Sequence, residues 1–335
     1  MKTHMYTRVL SLALALLLLA GLTACQAAPT VSQPSDSSKP IVICTLFPQY
    51  DLARTIGGEA VDVRLILPPG VEAHMFEPTP SDLQALEKAA LLIYTGAEME
   101  PWAGRTLSSL RNDGLLVVDG SESVLYAVAH DHDHEDHEDH EDHDHHDHHH
   151  DHHHDHDELA ADPHFWLDLR NAAAFASDIG EALAQVVPEQ AEAFRQRAKA
   201  LSDDLLALDG RILETVQTAP RDTLVFGGPF AYAYFISRYG LNYESAYSGC
   251  STETEPGLKT MLALEQYIKD HHVPYVLCAE LSSTVVADKL AQSTGAEALV
   301  LHTGHNVSKE DKDSGLTFLA LMEANRQVVE KALQE

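Results

Sequence analysis

The stretch PEQAEAFRQRAKALSDDLLALDGRILETVQT, residues 188–218, decides how the rest of the chain is arranged. Within it Phe194, Ala198, Leu201, Leu205, Leu208, Ile212 and Val216 recur at spacings of 4, 3, 4, 3, 4 and 4. That is one apolar stripe at the helical period. Pro188 suits the first turn of such a helix, and Pro220 ends it. The helix would be roughly 46 Å long, at about 1.5 Å per residue. Gly210 is its one weak point. A single long helix is a stiff connection, so whatever lies on either side of it is not expected to close by a large hinge motion.

Working outward, short apolar runs alternate with helical patterns on both sides. Ile41–Leu46, Val61–Leu67, Leu91–Tyr94 and Leu115–Val118 read as strands before the helix. Between them, Gln49–Ile56 reads as a helix stopped by Gly57-Gly58, and Ser81 is the expected cap of a helix running through Lys88. After the long helix, Thr223–Phe226, Pro274–Ala279 and Ala298–Leu301 repeat the pattern. Continuous apolar strands separated by helices imply parallel sheets covered on both faces. The fold class is α/β: two lobes, each with a central parallel sheet flanked by helices, joined by one long rigid helix. The expected divisions are a targeting segment over 1–24, a tether over 25–40, a first lobe over 41–187, the linking helix over 188–219 and a second lobe over 220–335.

The chain carries 52 acidic and 22 basic residues, a formal charge of -30 over 335 residues. Fourteen of the acids fall in residues 130–158, where every one of the 29 residues is His, Asp or Glu, fifteen of them His. The remainder still stands at −16 without that stretch. So acidic a protein is a poor partner for nucleic acid and a good one for cations. The stretch 130–158 cannot bury a core and reads as a solvated loop inserted in the first lobe. Imidazoles at that density suit Zn²⁺, Cu²⁺ or Ni²⁺. With no fixed geometry it would bind several ions weakly, so a selective site must lie elsewhere.

Lys2 and Arg8 precede an apolar run from Val9 to Ala20, short for a membrane span, and Leu22-Thr23-Ala24-Cys25 follows. These four residues resemble the lipobox of bacterial lipoproteins, which implies cleavage before Cys25, lipid on its sulfur and a mature protein anchored to the outer face of the cell membrane. Residues 26–40, rich in Ser, Pro and Ala, read as a flexible tether. Of the other three cysteines, Cys44, Cys250 and Cys278, the pair to examine for a disulfide is Cys250 with Cys278, since both fall in the second half.

Six histidines stand outside the rich stretch and the targeting segment. His74 lies in a Pro/Gly-rich loop after the second strand. His164 follows Asp162-Pro163 and precedes Phe165-Trp166, which can wall it from water. His302 and His305 flank Thr303-Gly304 just after the last strand. In open α/β sheets, ligands bind beyond the carboxyl ends of the strands, where these four belong. His271 and His272 read as exposed. Glu280 and Glu255 are reserve oxygen ligands.

Four segments now carry a resemblance: His74-Met75-Phe76-Glu77-Pro78, Glu98-Met99-Glu100-Pro101-Trp102, Asp162 through Leu167, and Arg238-Tyr239-Gly240-Leu241. Together they resemble the zinc and manganese receptors of bacterial ABC importers, from about Ile41 to the C-terminus. The His-rich insertion is similar to that of the zinc-specific members. The resemblance implies one metal held in the cleft between the lobes as transported cargo, a membrane permease as partner, a monomeric receptor, and His74 and His164 as first-lobe ligands. The family's second-lobe histidine is replaced. Ungapped alignment of Phe226–Phe235 puts Pro229 in its place, and Pro cannot ligate. The family's last ligand, an acid after the final strand, aligns with His302. His302, together with His305, is therefore expected to make up for the loss. Imidazole coordination favours Zn²⁺ over Mn²⁺.

Two other readings stand beside this one. A zinc hydrolase would need an open coordination position and a base, for which Glu280 is available, but no His-Glu-x-x-His run is present. A surface metal buffer or adhesin would hold ions through residues 130–158 and none tightly in the fold.

Overall fold

The computed structural model describes residues 39–127, 162–250 and 256–334. The first sheet contains β1 (Ile41–Cys44), β2 (Asp62–Leu65), β3 (Leu91–Tyr94) and β4 (Leu116–Asp119), in the order β2-β1-β3-β4 and parallel throughout. The helices α1 (Phe47–Gly57), α2 (Pro80–Leu86) and α3 (Pro101–Ser109) make its crossovers. The second sheet repeats the topology with β5 (Thr223–Phe226), β6 (Asn242–Ser245), β7 (Tyr275–Cys278) and β8 (Glu297–Val300), in the order β6-β5-β7-β8. Its helices are α6 (Ala233–Tyr239), α7 (Leu258–Asp270) and α8 (Val285–Thr294). In each sheet the strand order reverses beside the first strand, which opens a crevice at the carboxyl ends.

Between the sheets run two helices, α4 (Leu169–Val186) and α5 (Ala191–Gln217), the latter entered through a turn at Pro188–Gln190. Six of the seven stripe residues on α5 are buried, and Leu201 is half-buried against the same core. The two helices approach closely at Gly180, where a Cβ would lie 2.6 Å from that of Ala198. Any larger residue there would force them apart. The chain ends with α9 (Lys309–Ser314) and α10 (Phe318–Gln334). Arg211 of α5 pairs with Glu323 of α10 at 3.0 Å. One continuous core joins the first sheet, α4, α5 and the second sheet.

Two recurring segments prove to be structural fastenings. Arg238 bonds Asp209 of α5 through Nε at 2.7 Å, Tyr239 adds its hydroxyl at 3.1 Å, and Gly240 closes α6 in the left-handed region at φ 65. This ties the second lobe to the long helix. Glu100 lies buried at the crevice of the first sheet. Its carboxylate accepts from Thr45 Oγ1 at 2.6 Å and Gly96 N at 3.1 Å, joining the ends of β1 and β3. Burial lifts its carboxyl to about 7 against those hydrogen bonds.

Three expectations need correction. The cap of α2 is Thr79, not Ser81: Thr79 and Asp82 form a reciprocal capping box, and Ser81 only bonds the Thr79 hydroxyl at 2.8 Å. The strand β6 escaped the apolar pattern because it is an exposed edge strand. The disulfide between Cys250 and Cys278 is not formed. Both are free thiols, with Cys278 directed at the Leu299 carbonyl at the end of β7.

Candidate metal centre

Three imidazoles from three separate segments meet between the two sheets. The ring centroids of His74 and His164 are 5.5 Å apart, those of His74 and His305 5.3 Å, and those of His164 and His305 4.7 Å. Each ring has a buried Nε2 with no hydrogen-bond partner among the described residues. A buried polar atom without a partner costs about 1–3 kcal/mol. Three of them on neighbouring rings are a cost that a bound cation would remove.

Each ring is held differently. His74 sits at the end of a turn in which the Glu72 carboxylate accepts from the backbone N–H of His74 and of Met75, both at 3.1 Å. His164 is fully buried, and its Nδ1 lies 2.7 Å from Asp162 Oδ1, which also accepts its backbone N–H at 2.8 Å. With the proton on Nδ1 shared with the carboxylate, the lone pair is on Nε2, where a metal would take it. Asp168 then caps α4 by accepting the Arg170 N–H, which fixes the chain just after His164. Trp166 walls the cluster, with its ring 5.6 Å from His164 and 5.7 Å from His305, and donates Nε1–H to the Thr303 carbonyl at 2.8 Å.

His305 is oriented by a relay. Its Nδ1 is 2.7 Å from Thr303 Oγ1, and that hydroxyl donates to Glu280 Oε1 at 2.7 Å. A hydroxyl spending its proton on a carboxylate can only accept from the imidazole, so the His305 proton is on Nδ1 and its Nε2 is free to ligate. Glu280 also accepts from the backbone N–H of Thr303 and of Gly304, at 2.7 and 2.9 Å. Gly304 at φ 77 allows the turn that brings Thr303 and His305 to the same side.

Burial and mutual repulsion disfavour the charged form of His74 and His305. His305 is held well below its ordinary value of 6.5, first by burial and then by His164 and His74. His74 is lowered by burial and by His164, with Glu72 and Asp162 pulling the other way.

The structure thus brings together His74, His164 and His305 of the candidate ligands. His302 stands apart. Its backbone is clamped by Asn325, whose Oδ1 accepts the His302 N–H at 2.8 Å and whose Nδ2 donates to its carbonyl at 2.7 Å. Its ring contacts none of the three. Glu280 acts on the cluster through Thr303. Glu255, Cys25 and residues 130–158 lie outside the described residues. His271 is exposed and stacks on Tyr267. A further candidate was missed: one ligand nitrogen each from His74 and His164 and the Cys250 sulfur lie within 4.8 Å of one another. The signal available in the sequence is the odd count of three cysteines beyond Cys25, which leaves at least one free thiol.

The chain is similar to known proteins along most of its length. The family model described as the periplasmic zinc-uptake complex component A matches residues 42–332. Over 302 residues the chain is 30% identical to the high-affinity zinc uptake system protein ZnuA of Bacillus subtilis, covering 90% of each chain. It is 27% identical over 286 residues to the zinc-binding protein AdcA of Streptococcus pyogenes, covering 85% of this chain and 54% of AdcA. Among solved structures, the metal-dependent lipoprotein YcdH of Bacillus subtilis superposes with a TM-score of 0.72 at 27% identity, covering 88% of this chain and 100% of that one.

Proposed function

This chain belongs to the family of periplasmic zinc-uptake components, solute-binding receptors rather than an enzyme class, and from that premise we propose that it captures Zn²⁺ between its two lobes. His74, His164 and His305 would hold the ion, and a membrane permease of the ABC type would receive it. The observation that carries this reading is the meeting of three imidazole rings, each with a buried Nε2 without a partner among the described residues, the His164 and His305 rings being oriented through Nδ1. Three neutral imidazoles suit zinc better than Mn²⁺, which prefers oxygen. The ion is cargo. Residues 130–158 would gather metal near the cleft, and a lipid on Cys25 would keep the receptor at the outer face of the membrane.

The test is zinc titration by calorimetry on the intact chain, on the chain lacking residues 130–158, and on His164→Ala. One tight site that survives the deletion and is lost in His164→Ala supports cleft capture. Loss of every tight site with the deletion would overturn it and make the protein a surface metal buffer.

A further inference from the structure

Three imidazoles leave a tetrahedral ion one ligand short. In the second lobe Pro229, which occupies the place where the resemblance calls for a histidine, lines the same cleft as His74, His305 and Cys250. The loop after β6 runs alongside it. Phe230 N donates to the Gly249 carbonyl at 2.8 Å, which holds Cys250 next to Pro229. The thiol is half-buried and in no disulfide. It lies within 4.8 Å of a ligand nitrogen of His74 and of His164. The edges of a tetrahedral zinc site with two imidazoles and a thiolate are about 3.3–3.6 Å, from Zn–N near 2.0–2.1 Å and Zn–S near 2.3 Å. Drawing in the loop by at most about 1.5 Å closes that gap. Beside the thiol stands an independent sign of a ligand: the fully buried His164, whose Nε2 has no partner among the described residues.

We propose that Cys250 is the fourth zinc ligand, a second-lobe thiolate that takes over from the histidine replaced by Pro229. This rests on the reading that His74, His164 and His305 form the cleft site. The Zn–S bond forms as the S–H bond breaks, and the proton goes to solvent. The resulting three-imidazole, one-thiolate set is softer than an all-imidazole or imidazole–carboxylate set. It discriminates further against Mn²⁺ and toward Zn²⁺ and Cd²⁺.

Cobalt(II) is the probe for this, used on the full chain. Residues 130–158 contain no cysteine, so a sulfur-to-cobalt charge-transfer band cannot come from that stretch, and Cys25→Ser in every chain tested removes the one cysteine that precedes the first lobe. The expected result is such a band in the parent chain, bleached by zinc, absent in Cys250→Ser and retained in Cys278→Ser. Zinc affinity in Cys250→Ser should drop by at least the roughly tenfold that loss of an outer-shell partner costs. Cobalt bound in a His164-dependent way without a sulfur band would overturn the thiolate and leave three-imidazole capture standing. A band that survives in Cys250→Ser would overturn it as well. Cobalt binding that is indifferent to His164→Ala and carries no sulfur band would overturn both readings.

Discussion

The two sides of the cleft are built by opposite means. On the first-lobe side each histidine is set by an acid two residues away: Glu72 grips the backbone of His74, and Asp162 holds the ring of His164. On the second-lobe side His305 is set by Glu280, 25 positions earlier in the chain and at the end of another strand, through the Thr303 hydroxyl. Local orientation survives as long as its own loop does. Orientation by relay requires β7 and β8 to be in register before the ligand can face the ion. The first side is therefore preformed by a short peptide, and the second by the completed sheet.

The largest effect that would break this comparison is the loss of a ring. His164→Ala should weaken zinc binding by more than about 100-fold, beyond what loss of an outer-shell partner usually costs. His305→Ala should do the same, whereas His302→Ala should leave affinity unchanged. Calorimetric titration of the three variants decides between the two second-lobe histidines. If His302→Ala is the damaging one, the relay has been given to the wrong residue.

Next come the orienting acids. Asp162→Asn and Glu280→Gln should each weaken zinc binding roughly 10–100-fold. Only Glu280→Gln should also cost stability, by about 1–3 kcal/mol, because it disturbs the bonds to Thr303 and Gly304. Denaturant unfolding of the metal-free chain measures the second effect. Equal stability losses in the two variants would remove the contrast between local and relayed orientation.

A smaller effect concerns pH. His74 and His305 are held below their ordinary 6.5 by burial and by their neighbours. The unfolded chain takes up protons near 6.5 while the folded site does not. The stability this reflects is thus complete above 6.5 and is lost as pH falls through the depressed values. Zinc affinity should stay level down to about pH 6.5 and decline only below it, since the lowered values of His74 and His305 leave those two rings free of the proton a metal must displace. Melting temperatures and zinc titrations across pH 7.5 to 5 check both statements. The smallest effect is that of Cys278→Ser, which should leave zinc affinity alone, because its thiol faces the Leu299 carbonyl.

How much of this was legible in the sequence follows from the same contrast. The long helix, seven of the eight strands and the two first-lobe histidines were readable, because their signals are periodic or lie within a few residues. The edge strand Asn242–Ser245 was hidden by its polarity, since exposure removes the apolar run that marks a strand. His302 and His305 could not be separated from the sequence. Both follow the last strand, and only the Asn325 clamp on one and the Glu280 relay to the other tell them apart. Cys250 stands out in the sequence only as one of a cysteine pair to test for a disulfide, because its neighbours His74 and His164 are far away along the chain.

The loop after β8 is also stitched to the first lobe. Asn306 Nδ2 donates to the Pro68 and Val71 carbonyls at 2.7 and 2.8 Å, Gly70 N donates to Val307 O at 3.0 Å, and Phe47 N donates to His305 O at 3.0 Å. At about 1 kcal/mol each, these four bonds make prising the cleft open at its back expensive. If the cleft holds an ion as proposed, its residence time would be governed by the exposed residues of the lining, Met75 and Leu281. A docking partner that peels away those few residues would act as a trigger, shortening the ion's stay without swinging either lobe.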